Sequence, residues 1–373
     1  MKRLFISLCT LIFVFLPSLS MGVSAAHGEF IDEGPEIGDY DFSVVLVPDT
    51  QVVTYVNRDS LHYIYDWIID NTDSKKIEFV IGLGDMTEKS SYAEWWEVEK
   101  QVDRLNGVVP YALVRGNHDK TLDLNKFFPK AETPHIEGTY DPWINNSWRT
   151  VRMGDYDYLI MTLDYGADDD MLAWASGVIK DHPDHNVIIA THSYLFNDGT
   201  TLDAGDLCPP SKSGGTNDGD DMWEKLIRKH ENITLVVCGH DSSDRIVYRQ
   251  DKGDHGNTVT QMLIDAQDLD RDTKGAAGMI AIAYFSNGGK NVQIEYYSTI
   301  RQQWFMEENQ FSIELDVVPS SYHPAENNWT VINILIVSGV IAVSCITIVL
   351  ILLINDKKRK AEEINHESID HSL

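Results

Sequence analysis

Cysteine is scarce in this chain of 373 residues, with four in all, and Cys9 and Cys345 lie inside apolar runs near the two ends. Only Cys208 and Cys238 remain between those runs, which excludes a scaffold stapled by several disulfides. An oxidising compartment would permit one bond between them, but a loop thiol and a core thiol are the expected pair. Positive charge is also short: 30 Lys and Arg face 58 Asp and Glu, a net charge of -28. Such a balance excludes binding of long nucleic acids by phosphate neutralisation. A small phosphorylated substrate stays open wherever something local cancels the field. Residues 41–316 contain no internal repeat and no long low-complexity segment, and their length suits one large α/β domain or two ordinary ones.

The ends read as targeting and anchoring segments. Lys2 and Arg3 precede the apolar run Leu4 to Leu16, and small residues Ser24, Ala25 and Ala26 follow. That order is the pattern of a secretory signal peptide over 1–26. Residues 27–40 read as a linker, and 317–330 as a stalk. The run Val331 to Ile354 carries no charge and would span about 36 Å as a helix, against about 30 Å of bilayer hydrocarbon. Lys357, Lys358, Arg359 and Lys360 follow it, so 355–373 is expected in the cytoplasm and the domain outside the cell, a single-pass type I membrane protein. Ser338 and Ala342 give a small-xxx-small spacing, the basis for a weak homodimer through this helix.

Between the ends, apolar runs alternate with amphipathic stretches, the signature of α/β architecture. Ser60 to Asp70 places Leu61, Ile64 and Ile68 on one helical stripe, and Ser91 to Asn106 places Trp95, Val98, Val102 and Leu105 on another. Ser91 and Glu94 form a capping box, and Gly107 follows the end. Five apolar runs then stop alike. SVVLV ends in Pro48-Asp49-Thr50-Gln51, FVIGLG in Asp85, PYALV in Arg115-Gly116-Asn117-His118-Asp119, NVIIAT in His192, and TLVVC in Gly239-His240. Any one Asp after a strand is ordinarily a turn residue or helix cap, and a lone His a structural one. Five oxygen or imidazole donors at five strand ends point instead to one site, because α/β sheets assemble sites at the carboxyl ends of their strands.

With those blocks in that order, residues 41–316 resemble the calcineurin-like metallophosphoesterases, in the variant carrying a D-T-Q block; the stretch GNTVTQMLIDAQ is also similar to theirs. The resemblance implies a four-layer α/β sandwich of two sheets flanked by helices, with the membrane helix added after it. It implies two divalent metals, from manganese, zinc, iron or magnesium, bridged by Asp85. One metal would take Asp85, Asn117, His192 and His240. The other, called the first metal below, would take Asp49, Asp85 and whatever Gln51 and Ser242 offer. His118 would contact phosphate and protonate the leaving group, with Asp119 orienting its ring. Such a pair of cations clamps phosphoryl oxygens and acidifies a bound water.

Two departures fall on the first metal. Gln51 stands where the family pattern has His, and Ser242 replaces the last His of G-H-x-H. A neutral amide oxygen is a weaker and harder ligand than imidazole. The first metal is therefore expected to bind more weakly and to favour manganese or magnesium, with Gln51 either ligating it or holding a water of its shell. The activity implied is hydrolysis of phosphomonoester or phosphodiester bonds; the competing reading is a non-catalytic or single-metal surface binding protein. Three weaker features complete the reading. His182, His185 and His255 are expected as solvated loop residues, and Asp168 to Asp170 as helix N-terminal carboxylates. Tyr140, Trp143 and Trp148 are expected as a satellite core, and Lys290 to Asp316 as strands closing the second sheet.

Overall fold

The computed structural model describes residues 28–271 and 276–318. The signal-like run, most of the stalk and the membrane-spanning run expected from the sequence lie outside them. Among the described residues no helix is long and apolar enough to cross a membrane.

The strands form two sheets. The first orders β1 (Phe30–Ile31), β14 (Gln303–Phe305), β13 (Asn291–Ser298), β12 (Met279–Ser286), β2 (Phe42–Val47), β3 (Ile77–Gly82) and β4 (Tyr111–Leu113), with β15 (Phe311–Glu314) also on β13. The second orders β10 (Val247–Lys252), β11 (Thr258–Leu263), β9 (Ile233–Cys238), β8 (Asn186–Thr191), β7 (Tyr156–Leu163), β6 (Ser147–Met153) and β5 (Gly138–Thr139). β2, β3 and β4 run parallel, as do β7, β8, β9 and β11. Parallel strands are covered on both faces, which is why they read as unbroken apolar runs.

The alternation of side chains along β2 shows the layering. Phe42, Val44 and Leu46 pack between the sheets against Ile160, Ile188 and Val237, while Val45 and Val47 face outward among residues of two helices. Those are α2 (His62–Asn71), which follows the short α1 (Gln51–Val56), and α3 (Tyr92–Val102). A third core joins the outer face of the second sheet to α5 (Asp169–Asp181) and α6 (Gly219–Lys225), the small α4 (Thr121–Phe127) lying between in sequence. The result is helix, sheet, sheet, helix, the four layers expected.

Both helical stripes are buried as expected: Leu61, Ile64, Ile68, Trp95, Val98, Val102 and Leu105 are each at most 1% exposed. Ser91 caps α3 while Glu94 reaches back to the Ser91 amide at 2.9 Å. Asp168 caps α5 by accepting from the Met171 amide at 2.9 Å. Cys208 is exposed and Cys238 buried, both as free thiols. Other expectations are corrected. Phe30–Ile31, placed in a linker, pairs with β14 as an edge strand. β13 to β15 extend the sheet of β2 rather than the one holding β8 and β9. His182 and His185 are half-buried, not solvated: the His182 ring packs 4.8 Å from Trp148 and 5.3 Å from His185. Tyr140, expected in a satellite core, is exposed and leans edge-on to Trp174 at 5.9 Å.

Candidate metal centre

Seven parallel strands deliver their carboxyl ends to one place between the two sheets. From the first sheet come Asp49 after β2, Asp85 after β3 and Asn117–His118 after β4; from the second come His192 after β8 and His240 after β9. The approach of the turns demands glycine. A Cβ on Gly116 would lie 2.0 Å from Asp85 Oδ1, and one on Gly239 would lie 2.2 Å from Asp49 Oδ1. Asp85 and His240 themselves adopt left-handed backbone, φ 43° and 79°, which costs a non-glycine residue on the order of 1–2 kcal/mol. That strain is held where the function would need it.

His192 is fully buried, and its Nδ1 donates to the Leu83 carbonyl at 2.9 Å. A carbonyl only accepts, so the tautomer is fixed and Nε2 presents a lone pair. Nε2 lies 3.2 Å from Asp85 Oδ2 and 3.0 Å from Asn117 Oδ1. In the neutral ring one imidazole nitrogen thus presents its lone pair toward two oxygens, an arrangement that suits a cation bound among all three. The His240 ring packs 5.0 Å from His192 with its Nε2 3.2 Å from the Cys208 carbonyl. Donor atoms of Asp85, His192 and His240 all fall within 4.8 Å of one another. Gln51 is 6% exposed, yet its Oε1 has no hydrogen-bond partner. The donor set therefore fits divalent metal, with imidazole concentrated on one side.

The electrostatics agree. Burial, then the carboxylates of Asp265 and Asp85, push Asp49 well above the ordinary range. Burial also pushes Asp85 up, but the neighbouring His192 and His118 together bring it below the ordinary range. Burial pulls His192 down, and Asp85 beside it overrides this, so His192 ends raised. His240 is pushed down to about 4 by burial and then by His192. The site holds crowded negative charge with little resident positive charge.

One sequence expectation is corrected here. Asp119 does not orient the His118 ring. Its fully buried carboxylate accepts from the amides of Met86 and Thr87 at 3.0 Å, the Thr87 hydroxyl at 2.8 Å and the Gly116 amide at 3.2 Å. It therefore clamps the turn carrying Asp85 to the turn carrying Asn117. The acceptor for His118 Nδ1 is the Glu88 main-chain carbonyl at 2.9 Å, with the Glu88 carboxylate at 3.6 Å. Ser242 is half-buried, and its hydroxyl takes no hydrogen-bond partner among the described residues.

Sequence reading missed two further strand ends. β7 ends in Asp164–Tyr165: Asp164 pairs with Arg115 at 2.5 Å, and the Tyr165 ring sits 5.9 Å from His192 and 5.6 Å from His240. β11 ends in Ile264–Asp265, and the Asp265 carboxyl is fully buried and pushed up to about 7 by that burial. Both runs, YLIMTLDY and TVTQMLID, end in the same manner as the five recognised ones.

Comparison with known proteins gives a consistent family. A family profile described as calcineurin-like phosphoesterase matches residues 42–244. An uncharacterised protein of Bacillus subtilis (strain 168), YvnB, is 26% identical over 322 residues, covering 77% of this chain and 23% of its own length. A protein of Moraxella catarrhalis (strain BBH18), named as a probable cyclic nucleotide phosphodiesterase, is 23% identical over 140 residues, covering 35% of this chain and 47% of its own. The chain thus spans less than half the length of either relative. Among solved structures, a dimetal phosphatase from Danio rerio aligns with a TM-score of 0.47 and 14% identity, covering 74% of this chain and 99% of that one. A purple acid phosphatase from yellow lupin seeds aligns with a TM-score of 0.47 and 15% identity, covering 75% and 55%.

Proposed function

Because the chain belongs to the calcineurin-like phosphoesterase family, we propose that it is a metal-dependent hydrolase of phosphomonoester or phosphodiester bonds in small substrates. The observation that carries this reading is the buried meeting of His192 Nε2 with Asp85 and Asn117, backed by the Leu83 carbonyl. Asp85, Asn117, His192 and His240 would hold one divalent metal and Asp49, Asp85 and Gln51 the other, and metals so bound would polarise phosphoryl oxygens and acidify water. The chain's own groups supply the rest. The Glu88 carbonyl accepts from His118 Nδ1, so Nε2 faces the substrate, and in the imidazolium form it would give its proton to a leaving oxygen while the ring keeps the proton on Nδ1. The ring is 35% exposed, open to a substrate. The Asp119 clamp keeps that ring and Asp85 in register, since the His118 amide also donates to Asp85 Oδ1 at 2.8 Å. The name of the Moraxella relative inclines the reading toward phosphodiesters.

The test is a hydrolysis screen of the purified protein over monoesters, cyclic and linear diesters, with manganese, zinc, iron and magnesium in turn. Turnover should vanish in His192→Ala with loss of bound metal. In His118→Ala it should fall most for poor leaving groups, with metal retained. No turnover with any metal would leave the binding-protein reading. The same proposal places the domain outside the cell on a membrane anchor, on the strength of the runs Leu4 to Leu16 and Val331 to Ile354. Protease added to intact cells should digest an epitope within 41–316 and spare one after Asn355; a protected domain would defeat it.

A further inference from the structure

Gln51 and Ser242 leave the first metal without the imidazoles of the family pattern, and the structure brings another donor to that position. β11 lies parallel to β9, the strand that ends at His240, and so carries Asp265 to the same edge. The Asp265 amide carbonyl accepts from Ser243 N at 2.6 Å, which ties it to the loop where the second His of G-H-x-H would stand. Its carboxylate, fully buried, accepts among the described residues only from Gln267: the amide at 2.9 Å on Oδ1 and Nε2 at 3.0 Å on Oδ2. Gln267 in turn accepts from Gln51 Nε2 through its side-chain oxygen. Gln51, Gln267 and Asp265 are thus linked, and Gln51 Oε1 is left buried and unpartnered.

Asp49 is similarly underserved. It is 5% exposed, and its carboxylate receives only long bonds from the His240 amide, 3.3 and 3.4 Å. Its one ionic neighbour among the described residues is His192 Nδ1 at 3.9 Å, a nitrogen already committed to Leu83. No Lys or Arg pairs with Asp49 or Asp265 among the described residues. Burying a charge without a partner costs several kcal/mol, so two such carboxylates and an orphaned buried amide oxygen call for a cation.

We propose that Asp265 is a ligand of the first metal, joining Asp49, Asp85 and Gln51 Oε1 in an all-oxygen site that takes the place of the missing imidazoles. The inference rests on the reading that this centre binds metal, and it changes what the departures mean: the first site is a hard-cation site built from three carboxylates rather than a depleted one. Oxygen donors select manganese or magnesium over zinc, whereas the side holding His192 and His240 keeps its nitrogen character.

The experiment is manganese titration of the chelator-stripped full chain, followed by the electron paramagnetic resonance of free manganese, with zinc content measured in parallel. Wild type should bind two manganese ions. Asp265→Asn should bind one, the other weakened by more than about 100-fold, beyond the 10–100-fold that loss of an outer hydrogen bond gives. His192→Ala should lose the opposite ion and keep the oxygen site. Gln51→Glu in the Asp265→Asn background should restore the second ion by returning a carboxylate, which a structural role for Asp265 would not produce. Should Asp265→Asn fail to fold in chelator, Gln51→Glu alone decides, since it should tighten the manganese of the oxygen site at least about 10-fold without moving zinc at the other. Two ions held with unchanged affinity in Asp265→Asn, or no response to Gln51→Glu, overturns the assignment. No metal bound by wild type at all overturns instead the metalloenzyme reading beneath it.

Discussion

Asp119 shows how much one side chain can hold. Its two oxygens accept four hydrogen bonds from two turns. Asp119→Asn keeps the shape but turns an NH2 toward backbone N–H donors, so stability should fall by about 3 kcal/mol. Metal content should fall with it, because Asp85 and Asn117 ride on the clamped turns; urea midpoints and metal analysis check both. A second buried group answers to pH. Burial, then Lys180, push His230 down to about 4, and its Nε2 pairs with the Ser176 hydroxyl at 2.9 Å. The unfolded chain binds this proton near pH 6.5 and the folded one does not, so the stability it protects is present above pH 6.5 and drains away toward pH 4. The loss should reach about 2 kcal/mol. His230→Gln should flatten the stability profile between pH 6.5 and 4 without changing metal content.

The strand ends depend on glycine more than on any ligand. Gly116→Ala would drive a methyl into both Oδ1 and the backbone nitrogen of Asp85, 2.0 and 2.3 Å away, and main chain cannot step aside as a side chain can. The variant should lose metal and about 2 kcal/mol of stability, seen as a lowered urea midpoint even in chelator. The elements themselves were largely legible. β2, β3, β8 and β9 read as apolar runs because both their faces are covered, and α3 announced itself by its capping box. β11 was noticed only as part of the family-like stretch GNTVTQMLIDAQ and not as a strand ending in a donor, because Thr258, Thr260 and Gln261 interrupt its apolar pattern, although Thr260 and Gln261 are fully buried. With it went Asp265. The acceptor of His118 was not legible at all, since a main-chain carbonyl leaves no mark in residue types. The clamp role of Asp119 depends on how closely two turns approach, which spacing along the chain does not encode.

Across the domain, the centre joins the sheets: Asp49, Asp85 and Asn117 come from one and His192, His240 and Asp265 from the other. Metal should therefore stabilise the fold and not merely complete a site. Stripped of metal, Asp265 with its carboxyl near 7 and Asp49 raised by burial bind protons in the folded state that the unfolded chain has already released. Stability without metal should thus decline as pH rises from 6 to 8, while protons compete less with the cation. The difference in Tm between manganese and chelator should be larger at pH 8 than at pH 6; the same difference at both would refute it. The pairing of β2 has another consequence. Its neighbours are β3, which follows at once, and β12, where Leu46 faces Ala281 near the far end of the domain. A ribosome making this chain releases β2 long before it makes β12. Throughout that interval an edge that is apolar on both faces stays open to any passing strand, an invitation to aggregate that chaperones exist to refuse. Chains arrested before Met279 should stay protease-sensitive and chaperone-bound, whereas chains released past Val318 should close that edge and resist digestion.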